Sequence, residues 1–164
     1  MIRYTNYASP LGSLLLAVTD QGLAGLYFAQ HRHFKGPQDW QRDESQPTLQ
    51  PILQQTAAQL TAYFAGQRRD FDLPLDVQGT PFQRAVWDAL RRIPYGSSVT
   101  YAQLAQSIGN PRAVRAVGTA IGRNPISIIV PCHRVLGAHK ALTGYAGGLE
   151  RKQALLTLEG AALS

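Results

Sequence analysis

Two Thr-x-x-Gln sequences, Thr80 with Gln83 and Thr100 with Gln103, constrain the folding of this chain more than any other feature. In each, two side-chain oxygens can close the free N–H groups of a helix start. Behind the first, Pro81 fits the first helical position, and Phe82, Ala85, Val86, Ala89, Leu90 and Ile93 form one apolar stripe before Pro94, Tyr95 and Gly96 end it. Behind the second, Tyr101, Leu104, Ala105 and Ile108 form the apolar face and Gly109 supplies the stop. Asn110 and Pro111 then start a third helix at once. Two helices of this size joined through a tight Gly-containing turn fit a helix-turn-helix, with the segment from Pro111 to about Gly122 in the recognition position.

In that third helix Val114, Val117, Gly118 and Ile121 make the inward face, while Arg112, Arg115, Thr119 and Arg123 fall on the other side. Ala113, Ala116 and Ala120 leave the adjoining surface shallow, so the helix could approach a duplex closely and reach its phosphates or its base stack. Spacing alone leaves a plain amphipathic surface helix equally open. Charge favours a polyanionic partner: residues 1–78 carry six Lys/Arg against seven Asp/Glu, and residues 79–164 carry ten against three, which accounts for the net +6. No Asn or Gln pair stands ready to read adenine, so binding is expected to be weakly sequence-specific.

The first half has a different grammar. IRYTNY, LLLAV and LAGLYFA are separated by the turn signals SPLG and DQG and read as an antiparallel meander. Residues 31–48, with Gly36, Pro37 and Pro47, read as a long loop in which His31 and His33 are exposed. Leu49, Ile52, Leu53, Thr56, Leu60, Tyr63 and Phe64 follow helical spacing with Gly66 as terminator, and residues 66–79 read as a connection between two domains. The fold class is therefore α+β: a small amino-terminal α/β roll over residues 1–78, connecting segment included, then a mainly helical domain over residues 79–164. Hydrophobic content of 45% with 16% charged residues is that of a soluble globular protein, and LLLAV is too short to span a membrane.

The only cysteine, Cys132, lies in IVPCHRV. One cysteine makes no intramolecular disulfide and no Cys-rich zinc site, the four histidines form no spaced ligand set, and no cofactor is implied. The β-branched run Ile128, Ile129, Val130 reads as a buried strand that Pro131 stops, leaving Cys132 at its end beside His133 and Arg134. A lone cysteine is commonly a small buried hydrophobe. To act as a nucleophile it needs a base or a positive field, and adjacent side chains in extended chain point apart, so pairing with His133 needs a bridging water or a turn at Pro131. Glu159 stands in the last turn of a helix running from about Leu149 to Glu159 with Gly160 as its stop. A helix dipole disfavours a carboxylate there, which points to pairing with a cation or a histidine.

IVPCHRVLG, together with GTPFQRAVWDALRRIPYG, TYAQLA, RAVG, RNP and LTGYAGG, resembles the O6-alkylguanine-DNA alkyltransferases, also called methylated-DNA-protein-cysteine methyltransferases. The likeness covers nearly the whole second half; the first half agrees in overall plan. It implies direct-reversal DNA repair, with irreversible, stoichiometric transfer of the alkyl group from O6-alkylguanine, and from O4-alkylthymine, in duplex DNA after nucleotide flipping. By the resemblance, Cys132 would be the alkyl acceptor and His133 its base through a water. Glu159 would orient His133, and Asn124 would order the turn beside the cysteine. Arg115 would fill the stack, and Tyr101 would rotate the phosphate and then protonate guanine N3. Arg112, Ala113 and Arg123 would complete the DNA-binding face. Ile121, Tyr145 and Ala146 would line the pocket, and carbonyls at Cys132 and Val135 would accept from the guanine amine.

The expected partner is double-stranded DNA carrying O6-alkylguanine, bound by a monomer, with several copies able to line up along the duplex. No membrane partner is expected; the expected location is the cytoplasm, on the nucleoid when bound. Family members lacking the cysteine bind damage without transfer. A non-catalytic helix-turn-helix regulator is the alternative reading, and a papain-like hydrolase is disfavoured because no oxyanion constellation is readable. The chain departs from the family pattern at GAHKALTG, Gly137 to Gly144, where His139 and Lys140 stand in place of a Ser or Asn followed by Gly. Lys140 removes backbone freedom there and adds bulk, which bears on the alkyl groups admitted; His139 is expected to be an exposed loop residue.

Overall fold

Alternation of apolar and polar residues gives three antiparallel strands in the computed structural model, which describes residues 2–32, 34, 36–37, 39–44 and 50–161. They are β1 (Arg3–Ser9), β2 (Gly12–Val18) and β3 (Leu23–Phe28), and a two-residue strand β4 (Gln41–Arg42) joins the free edge of β1 in parallel, for a sheet order β3-β2-β1-β4. β4 lies within the stretch expected to be loop. His31, expected to be exposed, is buried: its Nδ1 accepts from the Phe28 N–H at 3.3 Å and its ring meets Tyr27 edge-on. The polar run around it hid an aromatic contact. His33, Pro47 and Leu49 lie outside the described residues.

Helix α1 (Pro51–Phe64) covers one sheet face with Leu53, Thr56, Leu60 and Tyr63. Its start is set by Gln50, whose Oε1 accepts from the Leu53 N–H, and by Pro51 behind it. The connection after it is not a free tether. Leu23 N–H donates to the Pro74 carbonyl and Asp76 N–H to the Leu23 carbonyl, both at 2.8 Å, and Leu73 is buried.

Both capping boxes are formed. Thr80 and Gln83 start α2 (Pro81–Arg91), and Thr100 and Gln103 start α3 (Tyr101–Ser107), directly after strand β5 (Val99–Thr100). The third helix, α4 (Val114–Gly122), starts later than Asn110-Pro111 implied, because these residues form a turn in which Ala113 N–H donates to the Asn110 carbonyl. Arg112 therefore precedes the helix. Val114, expected inward, is exposed, and Ala120, expected on the surface, is buried against α2, where Trp87 Nε1 donates to its carbonyl at 2.8 Å. The α2 contact rotates the buried face away from the one inferred from α4 alone.

The run from Ile128 to Val130 is buried but is not a strand. Ile129 N–H reaches back to the Ser127 carbonyl and Val130 N–H to that of Ile126, with Ile128 at φ +70°. Tertiary contacts here override β propensity. A 3-10 turn (Cys132–Arg134) follows, then β6 (Val135–Leu136), which pairs in parallel with β5. A second 3-10 turn (Ala138–Lys140) leads to α5 (Leu149–Leu158), whose cap is Glu159 and whose stop is Gly160 at φ +73°. One hydrophobic core draws on both halves, from Leu14 and Tyr63 to Cys132 and Leu155. Among the described residues no helix is long and apolar enough to cross a membrane.

Candidate active site

Asn124 leaves α4 buried, with both ends of its amide committed: Nδ2 donates to the Val130 carbonyl at 2.8 Å and Oδ1 accepts from the Ile126 N–H at 3.0 Å. These bonds close the turn that delivers the chain to Pro131 and Cys132. In the 3-10 turn that follows, successive side chains no longer point to opposite faces. Cys132 and the fully buried His133 can therefore serve one site from neighbouring positions.

His133 Nε2 lies 2.8 Å from Glu159 Oε2. Arg134 Nε donates to Oε1 at 2.8 Å and its Nη2 to Oε2 at 2.9 Å, while its Nη1 reaches the Ile93 carbonyl at 2.6 Å. The Tyr63 hydroxyl donates to Oε2 at 2.6 Å. The dipole at the end of α5 does not decide the fate of this carboxylate, because four donors hold it ionised. Burial alone would raise its pKa, yet the bonds from His133 and Arg134 bring it down to about 2. An ionised carboxylate only accepts, so His133 carries its proton on Nε2 and leaves Nδ1 bare. No group among the described residues hydrogen-bonds Nδ1. Burial pushes the imidazole pKa down against the pull of Glu159, so the ring is neutral at neutral pH.

Burial also raises the Cys132 thiol, opposed by Asn124, Lys152 and Tyr145. The resting group is a thiol, and activation requires removal of its proton. No hydrogen bond joins Sγ to the imidazole, so no direct dyad exists, in line with the geometric objection from sequence.

Cys132 opens onto a cavity of about 900 Å³ whose walls include Tyr101, Arg115, Ile121, Arg123, Tyr145 and Ala146. Arg112 and Ala113 lie outside it on the turn before α4, and Val135 is buried in β6. The Val135 N–H donates to the Cys132 carbonyl, which keeps one lone pair free. Burial lifts the pKa of Tyr101 at the first position of α3, and that of Tyr145 well above the ordinary tyrosine range. Tyr145 Oη lies among Cys132 and Ser127 without a partner that meets hydrogen-bond geometry. Arg112, Arg115 and Arg123 are exposed. His139 and Lys140 are exposed too, both at φ +59°, a left-handed backbone that costs a non-glycine residue roughly 1 kcal/mol or more. His139 also borders the cavity, so the loop that departs from the family pattern is part of its rim.

Four contributors escaped the sequence reading. Arg32 lines the cavity from the first half, and its N–H donates to the Ala146 carbonyl at 2.9 Å. Lys152 is almost wholly buried and donates to the carbonyls of Thr143 at 2.6 Å and Gly144 at 3.0 Å. Lys152, Leu155, Leu156 and Glu159 share one helical face, so a charged residue at core spacing was the available sign. Tyr63 and Arg134 gave none, because periodicity says which way a side chain faces and not what its polar end meets. Among the described residues no group of three His, Cys, Asp or Glu could hold a metal ion.

Comparison with known proteins finds relatives along the whole chain. The family described as 6-O-methylguanine DNA methyltransferase matches twice, its ribonuclease-like domain over residues 2–77 and its DNA binding domain over residues 81–161. A methylated-DNA–protein-cysteine methyltransferase of Methanosarcina acetivorans is 48% identical over 96% of this chain and 97% of its own length. The constitutive enzyme of that name from Bacillus subtilis is 47% identical over 95% of this chain and 94% of its own. The crystal structure of Mycobacterium tuberculosis OGT in complex with DNA superposes with a TM-score of 0.87 at 46% identity, covering 96% of this chain and 92% of that one. With both halves matched in order and relatives this similar end to end, the chain belongs to the 6-O-methylguanine DNA methyltransferase family.

Proposed function

We propose that this protein repairs DNA by direct reversal, taking the alkyl group from O6 of guanine in a duplex onto Cys132 Sγ once per molecule. The observation that carries the reading is a thiol set in a cavity beside an exposed basic helix, with a neutral imidazole held by a buried carboxylate behind it. A stacked base cannot present O6 to a buried sulfur, so the nucleotide must leave the stack, at a cost of a few kcal/mol. Arg115, exposed on α4 at the cavity mouth, is suited to fill the space left behind, and Arg112 and Arg123 to hold phosphates. Tyr145, Ala146 and Ile121 would flank the flipped base.

The thiol proton passes to bare Nδ1 of His133 by way of a solvent molecule, since no hydrogen bond joins Sγ to the ring. Glu159 keeps its charge throughout and stabilises the imidazolium that forms. The Sγ–C bond forms as the C–O6 bond breaks, and the electron pair moves into the purine, where Tyr101 donates a proton at N3. The product is a thioether. A thioether C–S bond has no disulfide sulfur for a thiol to attack, so the alkyl group stays on Cys132. The same displacement serves O4-alkylthymine. The protein acts as a monomer where DNA is held, in the cytoplasm.

The test is to incubate the protein with duplex DNA bearing one O6-methylguanine and weigh it intact. The expected result is one methyl per molecule, with no gain in Cys132→Ala. No gain in the native protein, or more than one base repaired per molecule, overturns the reading. A helix-turn-helix regulator would instead keep its activity in Cys132→Ala.

A further inference from the structure

The carboxylate that holds His133 is shared between the two halves of the molecule. Glu159 Oε2 receives the Tyr63 hydroxyl at 2.6 Å, the shortest of its contacts, beside His133 Nε2 at 2.8 Å and Arg134 Nη2 at 2.9 Å. Tyr63 is fully buried in α1, which belongs to the amino-terminal unit, and lies 96 residues from Glu159 in sequence. Its ring is wedged between Phe71 at 5.4 Å and Tyr95 at 6.2 Å, and the Tyr95 hydroxyl reaches the Leu158 carbonyl at the end of α5. The hydroxyl thus meets Glu159 in a fixed place and not by chance rotation.

From this geometry we infer that Tyr63 is a positioning residue for alkyl transfer, through which the amino-terminal unit sets the basicity of His133 by donating to the carboxylate that orients it. The inference rests on His133 acting as the base for Cys132. The physics is a competition for one oxygen. Each donor on Oε2 withdraws charge that would otherwise stabilise an imidazolium, so Tyr63 favours the neutral ring with Nδ1 free. The other charged groups acting on the pair are Arg134, from the same 3-10 turn, and Lys152, from α5, while Tyr95, from the segment after α2, packs against the Arg134 guanidinium. Tyr63 is the one hydrogen bond to the carboxylate from the amino-terminal unit among the described residues. Deleting its hydroxyl should strengthen the hold of Glu159 on a proton at His133, raising the imidazole pKa and leaving less free base below neutral pH.

The experiment uses the full chain as wild type, as Tyr63→Phe, and with 3-fluorotyrosine at position 63. Phenylalanine removes the donor and keeps the packing; the fluorinated ring donates more strongly. Nitrogen NMR of the His133 imidazole, followed against pH, reads tautomer and midpoint whether or not methyl is transferred. The wild type should show the Nε2–H tautomer. Tyr63→Phe should move the midpoint up by about half a pH unit to one unit, and fluorotyrosine should move it down. In single-turnover methyl transfer the acidic limb of the rate profile should move with the midpoint, so that Tyr63→Phe loses about three- to tenfold well below the wild-type midpoint, less than about twofold at its own midpoint, and little at high pH. A purely structural role would lower the rate equally at all pH values. An unmoved midpoint in both variants, or a shift of the same sign in both, overturns the inference. If the midpoints move as stated while the wild type gains no methyl, the coupling stands and the alkyl-transfer reading is what fails.

Discussion

Lys152 joins a buried cation to the wall of the cavity, and its removal takes away an anchor and a charge together. Its ammonium holds the Thr143 and Gly144 carbonyls immediately before Tyr145, and burial brings its pKa down from 10.5 to about 8 although Cys132 pulls it up. At neutral pH it is still a cation, and its field favours the Cys132 thiolate. Lys152→Met keeps length and apolar bulk but leaves two carbonyls unpaired, a loss of about 1–3 kcal/mol each. Methyl transfer should fall about ten- to a hundredfold, and alkylation of Cys132 by a small electrophile should need a higher pH. Duplex affinity should change little, because Lys152 lies within the fold and not on the basic face. Wild-type transfer by Lys152→Met would show that the wall needs no anchor.

At the scale of elements, Thr100 does two jobs. Its Oγ1 accepts from the Gln103 N–H at 3.1 Å to cap α3, and its backbone pairs with Leu136 through the β5–β6 ladder. Tyr101, the next residue, is therefore tied both to the helix start and to the strand leaving Cys132. Thr100→Ala should cost about 1 kcal/mol of stability, read as a lower urea midpoint, and should also slow transfer by loosening Tyr101. Loss of stability with unchanged transfer would free Tyr101 from that dependence. Capping boxes are legible because donor and acceptor stand three residues apart, and for the same reason the Gly160 stop located Glu159. Asn124, His133 and Glu159 were placed together only by likeness to a family. The β-branched run Ile128 to Val130 reads as a strand but lies in a turn from Ile126, whose hydrogen bonds come from Asn124 and from carbonyls within the turn, which no alternation encodes. Tyr63 is silent for a related reason, since a contact spanning 96 residues leaves no periodic trace, while Lys152 shows only as a charge at core spacing because its bonds to carbonyls leave none.

Across the whole molecule the buried relay should govern how stability responds to pH, since it joins α1, the Cys132 turn and α5 in one core. Glu159 sits at about 2 in the fold against 4.5 when free, so the unfolded chain binds the extra proton between these values. Its contribution is complete above about 4.5 and is lost as pH falls toward 2. His133 is held below its free value of 6.5, so the unfolded chain again binds the extra proton, and stability begins to fall as pH drops below about 6.5. Lys152 has the opposite consequence at the other end. Between about 8 and 10.5 the unfolded chain holds a proton that the fold has released, so this group makes stability rise with pH there. Each proton so bound tilts the curve by about 1.4 kcal/mol per pH unit. Urea midpoints across pH should therefore fall in two acid steps, the upper one absent from His133→Asn and the lower one shallower in Glu159→Gln. The alkaline rise should vanish in Lys152→Met. Slopes are the quantity to compare, because each substitution also lowers stability at every pH. If His133→Asn retains the wild-type slope between pH 5 and 6.5, the imidazole is not held neutral by the fold, and its assignment as the free base beside Cys132 fails with it.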